Sequence, residues 1–398
     1  MSNGFPPKAM LALLMLAAPD MAAAEWDFSA NLEWQTRLFA DAAAWAAQRS
    51  ARGQHSLAAL GEFRWRSDSD NQRASIIPQL RWDTTDPERN LVDVAELYWS
   101  GEAESFELLV GVNTEFWGVT ESVHLVDIIN QTDAASDIDG EDKLGQPMIN
   151  LVLQRDWGEL SIFAMPYFRE RTFAGREGRL RTPLPVDTGR VVYESSDGRN
   201  HVDLALRYSH YIGNVDIGLS AFSGTSREPR LVQSEGALIP HYGQIDQFGV
   251  DLQYTGDAWL WKLEAILRNG YDETFGAAVA GFEYTFYQVA DAAADLGVLL
   301  EYQHDDRGAL EPATIADNDA FAGLRLALND TQDTTVLAGI GRDIQTGETF
   351  LNVEAERRLG QDYVLELRGR VFTGADPGDL THAFVDDSYL QVQFSRYF

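Results

Sequence analysis

Between Thr114 and Pro147 the chain carries Glu115, Glu121, Asp127, Asp133, Asp137, Asp139, Glu141 and Asp142 against a single lysine, Lys143. Arginines recur elsewhere on the polar face of alternating segments: Arg64, Arg66, Arg81, Arg207, Arg325, Arg368 and Arg370. Carboxylates set opposite guanidinium groups across a narrow aqueous gap create a transverse field, which orders water, orients dipolar solutes and sets ion preference. The acids Glu115, Glu121 and Asp127 with those seven arginines are therefore the expected constriction. The competing reading leaves the acidic segment as a solvated flap. The arginines would then pair with nearby wall acids such as Glu62, Glu96, Glu264, Glu283, Glu301, Glu354 and Glu366. Asp137-Ile-Asp-Gly-Glu-Asp142 resembles a calcium loop only superficially, because it misses the EF-hand spacing. No metal and no cofactor is expected, with Asp137, Asp139, Glu141 and Asp142 as the fallback ligands. Ser122, His124 and Asp127 lie close together, but there is no Gly-x-Ser-x-Gly elbow. His201 and His210 fall on opposite faces of one strand and cannot share a metal. Catalysis is not expected.

The elements that position these residues read as strands. Phe28, Ala30, Leu32, Trp34 and Leu38 oppose Asn31, Glu33, Gln35 and Arg37. Ala74, Ile76, Leu80 and Trp82 oppose Ser75, Gln79 and Arg81, and Trp259, Trp261, Leu263, Ala265 and Leu267 oppose Lys262, Glu264 and Arg268. This period of two marks a strand. Tight links (Ser67–Asn71, Gly213–Asn214, Gly360–Asp362) alternate with longer ones (Ala40–Gly53, Thr114–Pro147, Glu170–Asn200, Thr225–Tyr242, Thr373–Asp387). Segments of about ten residues, short turns at one end and long loops at the other are the layout of a membrane-spanning barrel. Counting gives 18 strands, or 16 if the irregular Leu91–Ser100 is discounted. Trp34, Trp65, Trp82, Trp99, Trp259, Tyr284, Tyr302, Tyr363 and Phe394 fall on the outer faces, several near strand ends, as an interfacial girdle would.

Composition narrows the class. The net charge of −31 excludes nucleic acid as a partner. With no cysteine there is neither a disulfide framework nor a thiolate metal site. The only lysines are Lys8, Lys143 and Lys262. Arginine's planar fork suits fixed pairing with carboxylates in a partly desolvated interior. Lys8, the apolar run Ala9–Ala18 and Ala22-Ala23-Ala24 read as a secretory signal peptide over residues 1–24, leaving 25–398 as one domain.

The final segment, Ser388 to Phe398, places Leu390, Val392, Phe394 and Phe398 opposite Gln391, Gln393 and Ser395 and ends on an aromatic. It resembles the closing strand of Gram-negative outer-membrane β-barrels, in which this end is also an assembly signal, here Phe398. The string Gly111-Val112-Asn113-Thr114-Glu115-Phe116-Trp117-Gly118, with Asp127-Ile128-Ile129-Asn130 and Gly145-Gln146-Pro147-Met148, resembles a segment of porin-like barrels of proteobacteria. In porins the third loop folds into the barrel and narrows it. The resemblance implies an all-β, transmembrane, antiparallel up-and-down barrel in the outer membrane, with periplasmic turns and external loops. Its implied partners are lipid, lipopolysaccharide, the barrel assembly machinery and small hydrophilic solutes. The apolar outer face suits lipid and equally a homotrimer contact.

The expected function is passive diffusion of small hydrophilic solutes or ions. Alternatives are a channel or exporter dedicated to acidic saccharides, and a non-conducting barrel acting as a receptor scaffold. The segment Arg169–Arg199 holds seven arginines against five acids. It would attract anionic solutes or lipopolysaccharide phosphates, or neutralise the acidic loop beside it. Asp305-Asp306, Asp317/Asp319, Asp376/Asp379 and Asp386-Asp387 are external acidic clusters able to share divalent cations with lipopolysaccharide.

Overall fold

In the computed structural model the described residues are 25–398; the segment read as a signal peptide lies outside them. Eighteen strands make one antiparallel sheet in which neighbours in sequence are neighbours in space. The first strand, Glu25–Phe39, pairs with the last, Tyr389–Tyr397, in a register running from Asn31–Tyr397 to Phe39–Tyr389. The sheet is thus a closed up-and-down barrel with no free edge. Closure is what lets a sheet satisfy every backbone group without help from solvent. No helix among the described residues is long and apolar enough to cross a membrane.

The count is eighteen because Leu91–Ala103 is a full strand despite its irregular pattern. Its pairing with Gln72–Asp83 slips between Ile77 and Pro78, whose partners are Glu96 and Val94, so Ala95 is left over as a bulge. One extra residue exchanges the two faces. Val92 points outward before the bulge, and Leu97 and Trp99 do so after it, opposite the outward Ile76 and Ala74. Pro78, which has no N–H to give the ladder, sits at this irregularity.

The outer face is apolar as the alternation requires: Phe28, Trp82 and Phe248 are each more than 60% exposed. Trp259 stacks on Trp261 at 5.5 Å and lies 4.6 Å from Tyr284, with Phe282 and Phe286 alongside, in an aromatic band at the short-turn end. Trp65 is on this face by register with Trp26 and Ala74 but is buried. In the last strand Leu390 and Phe394 face outward while Gln391 and Ser395 are buried inside. The Phe398 N–H donates to the Ala30 carbonyl at 2.9 Å.

The interior is not uniformly polar. Leu109, Met148, Phe163, Ala205, Phe222, Ile245, Ile266 and Ala277 project from the inner wall and pack with Trp117, Val126, Ile128 and Ile129 from the segment that follows the strand Phe106–Asn113. A hydrophobic core therefore lies within the bore.

Candidate functional site: an inward-folded loop clamped by ion pairs

The acidic loop spans residues 114–145, since Gln146 and Pro147 already belong to the strand Gln146–Arg155. It folds into the barrel. Its return passes so close to the bulged strand that a Cβ on Gly145 would lie 2.4 Å from the Ala95 carbonyl oxygen, an approach only glycine permits. Val126 and Ile129 are completely buried in the inner core. Each such burial is worth roughly 1.5–3 kcal/mol.

Two wall glutamates anchor the loop by its backbone. Glu264, with no exposed surface, accepts hydrogen bonds from Val119 N–H (2.7 Å), Thr120 N–H (3.1 Å), the Thr120 hydroxyl (2.7 Å) and Val126 N–H (3.2 Å). Glu301 accepts from the N–H groups of Glu121 and Ser122, both at 2.9 Å. Glu264→Gln puts a donor NH2 where an acceptor is required. It is expected to cost about 1–3 kcal/mol and to expose the loop to limited proteolysis, with the barrel's circular dichroism unchanged. A loop as protease-resistant as wild type would refute this anchoring role.

The far end of the loop is held by charge. Asp137 is 2.5 Å from Arg370, 2.7 Å from Arg368 and 3.2 Å from Arg37, all on the inner wall. Asp139 joins Arg370 at 2.5 Å, and Asp133 joins Arg81 at 2.7 Å. Burial opposes the charge on Asp137, but Arg37, Arg370 and Arg368 outweigh it and hold its carboxyl well below the usual carboxylate range. Arg89 donates to the Ala135 carbonyl at 3.1 Å. Burial, with Arg37 and Arg81 nearby, lowers its pKa to about 10, so it remains charged at neutral pH.

Of the expected constriction residues, the structure brings Arg81, Arg325, Arg368 and Arg370 to the loop. Arg325 meets Glu121 at 2.6 Å. Asp127 is neutralised within the loop by Lys143 at 2.9 Å. Glu115 accepts from Asn113 and has no cation within ion-pair distance among the described residues. Three arginines make no ion pair with a loop acid, although Arg207 lies 5.1 Å over the ring of the loop's Trp117. Arg207 forms a two-pronged pair with Asp251 on the wall, both bonds 2.9 Å, while Arg64 meets Glu62 and Arg66 meets Asp70 near the short-turn end. The acids and arginines thus touch as clamps instead of facing one another across open water. Of the fallback metal ligands, Asp137 and Asp139 are committed to arginines and Glu141 to His124. Three other carboxylates, Asp317, Asp319 and Asp343, lie with oxygens within 4.8 Å of one another at the long-loop end.

His124, which stands beside Ser122 and Asp127 in the sequence, bridges two parts of the clamp. Its Nε2 is 3.3 Å from Glu141, and its Nδ1 is 3.8 Å from Glu264, beyond hydrogen-bond reach. The Phe116 ring meets it edge-on at 4.8 Å. Burial works against protonation, but Glu141 and Glu264 overcome it and raise the pKa from 6.5 to about 9. A raised pKa means a contribution fully present below about 6.5 and lost as pH climbs through about 9. Loop protection from proteolysis is expected to fall between pH 7 and pH 10, and His124→Gln should abolish that pH dependence. An equal fall in the variant would rule the imidazolium out.

The wall acids at the short-turn half behave differently. Glu33, Glu96, Glu107, Glu356 and Glu366 all project inward, and none has an arginine or lysine within ion-pair distance among the described residues. Glu356 and Glu366 are directly opposite one another, as are Glu102 and Glu107. Like charges so placed repel. Sequence reading counted some of these acids only as partners for arginine. It missed the inner core, although Phe163, Ile245 and Ile266 on the face otherwise polar were its visible sign.

No protein-family model matches the chain, and no curated protein matches it. Solved structures do, at the level of fold. A BenF-like porin from Pseudomonas fluorescens matches with a TM-score of 0.55 at 10% identity, over 94% of this chain and 98% of that one. OpdQ of Pseudomonas aeruginosa matches with 0.53 at 11%, over 95% and 99%. Wzi of Escherichia coli, a carbohydrate-binding barrel involved in group 1 capsule assembly, matches with 0.55 at 9%, over 98% and 86%. The chain is an all-β, 18-stranded closed barrel of the architecture these outer-membrane proteins share.

Proposed function

We propose that this protein resides in the outer membrane of a Gram-negative bacterium, with short turns periplasmic and long loops external, as a passive channel for small hydrophilic solutes that prefers cations. The observation that carries the preference is the set of unpaired inward glutamates at the short-turn half, Glu33, Glu96, Glu107, Glu356 and Glu366. The loop acids contribute less, because arginines and Lys143 cancel most of them. A ring of uncompensated carboxylates concentrates cations and repels anions. The apolar exterior with its aromatic band supports lipid contact, and the sheet's closing strand supports recognition by the assembly machinery.

In planar bilayers under a salt gradient the reversal potential should report cation preference, and Glu356→Gln with Glu366→Gln should reduce it several-fold. Anion preference in the unaltered protein would sink the reading. The core inside the bore favours a second one, a barrel that holds a ligand at its external mouth and conducts little. Near-zero conductance of correctly folded protein would select it.

A further inference from the structure

We propose that a groove on the outer face of the wall, ending at Arg342, holds one acyl chain of a lipopolysaccharide anchor with the anchor's phosphate on that arginine. The ladder register brings the lining together as two outward rows. Arg342 lies opposite Ala320, Ala320 opposite Tyr302, and Tyr302 opposite Ala280. The row nearer the short turns runs from Ile340 through Ala322, Leu300 and Phe282 to Trp261. All these residues line one groove of about 610 Å³, in which the three alanines leave the room that the larger side chains wall in. It crosses five adjacent strands, from Trp259–Asn269 to Thr335–Asp343. At the usual strand spacing that is about 19 Å, the scale of an extended acyl chain. A concave stretch touches such a chain along its length and from several sides, and the many small dispersion contacts add up.

Arg342 decides which lipid. On the wall strands among the described residues, the other outward arginines, Arg155, Arg357 and Arg396, stand at short-turn ends. Arg342 alone stands at a long-loop end, one residue before its strand finishes. The wall lysine, Lys262, points inward to Glu121. An arginine on the lipid face of a barrel is costly at mid-depth and tolerated at headgroup level. The Arg342 guanidinium donates to the Thr349 hydroxyl at 3.1 Å and has no carboxylate within ion-pair distance among the described residues. Neighbouring Asp343 turns inward, opposite Asp319, and is buried. One bond from five N–H donors leaves the rest of the fork for phosphate oxygens, which it meets two at a time. The inference rests on the external placement of the long-loop end in the preceding section, but not on conduction. The external leaflet of a Gram-negative outer membrane is lipopolysaccharide, whose anchor joins acyl chains to phosphates.

The test is native mass spectrometry of the detergent-folded full chain after incubation with lipid A, with dipalmitoyl phosphatidylglycerol and with dipalmitoyl phosphatidylcholine. One lipid A retained per barrel is expected, with neither phospholipid held as tightly. Retention should fall at least tenfold in Arg342→Gln, which removes the charge, and in Ala322→Phe, which fills the groove, and should be unchanged in Arg396→Gln. Heat-modifiable migration on gels verifies that each variant is a closed barrel. Lipid A held equally by wild type and both variants, or phosphatidylcholine held as well as lipid A, overturns the site. A preference for phosphatidylglycerol also overturns it, by giving the groove to a phospholipid. So does an oligomer that Ala322→Phe dissociates, which would give the groove to a second copy of the chain. Conductance in bilayers is measured separately, so a conducting barrel that retains no lipid A refutes this groove alone.

Discussion

A barrel lacking Glu121–Asp142 is expected to pass several times the single-channel current of the intact protein. The deleted segment carries Val126, Ile128 and Ile129 into the bore and contains Asp133, Asp137 and Asp139, which tie it to the wall. Without it, the inner-wall side chains Phe163, Ile245 and Ile266 would meet water, and the arginines Arg37, Arg81, Arg368 and Arg370 would lose their loop carboxylates, with Glu354 alone left to Arg368 at 3.0 Å and Arg370 at 3.8 Å. Two opposing consequences follow. The barrel's melting temperature should fall because apolar surface is re-exposed, while its conductance rises and its cation preference weakens as free guanidinium groups are uncovered. Bilayer recording and thermal circular dichroism measure both on one preparation. An unaltered current would mean that the loop does not obstruct the path.

Asp137→Ala should be the most damaging single substitution in the loop. The carboxylate is 1% exposed and serves Arg37, Arg368 and Arg370 together. Burying it cost desolvation, but its removal leaves three guanidinium groups facing one another in a poorly hydrated space. Breaking a buried ion pair from one side costs about 3–5 kcal/mol. Asp139→Ala, at a carboxylate 20% exposed that shares the same arginines, should cost appreciably less. Chemical denaturation of the two variants gives the comparison, and proteolysis reports whether the loop leaves the bore. Equal stability of both variants would show that Asp137 is not the hub. A second change, Arg370→Met, should restore part of what Asp137→Ala loses, because it removes one stranded charge.

Much of the architecture was legible because a strand repeats every two residues and the barrel needs that repeat along its whole length. Leu390, Phe394, Gln391 and Ser395 took the faces their order implied. Leu91–Ala103 was hard to read for a local reason: the bulge at Ala95 exchanges the faces midway, so neither half matches the other. The inward fold of the acidic loop was legible as an expectation, but its means were not. Glu264 and Glu301 present their carboxylates to backbone N–H groups that are more than a hundred positions away in sequence, as Val119 is from Glu264 (|i−j| of 145). Pairings of that span have no periodicity to betray them. The arginines divide likewise. Arg81 and Arg368 pair with loop acids, whereas the Arg207 charge is claimed by Asp251 two strands away, and nothing in the spacing distinguishes the two cases.

The seam between Glu25–Phe39 and Tyr389–Tyr397 bears on how the cylinder is made. Gln35 and Gln393, bonded across it, are 358 positions apart. Sheet contacts between sequence neighbours can zip one after another, but this joint must wait for both rims of a nearly finished sheet to meet. Until then two unpaired rims stand open, each a template for sticking to another chain. Closure of this joint spans the longest sequence separation in the wall, so shelter for the two open rims until they meet would guard the unfinished sheet against pairing with another chain.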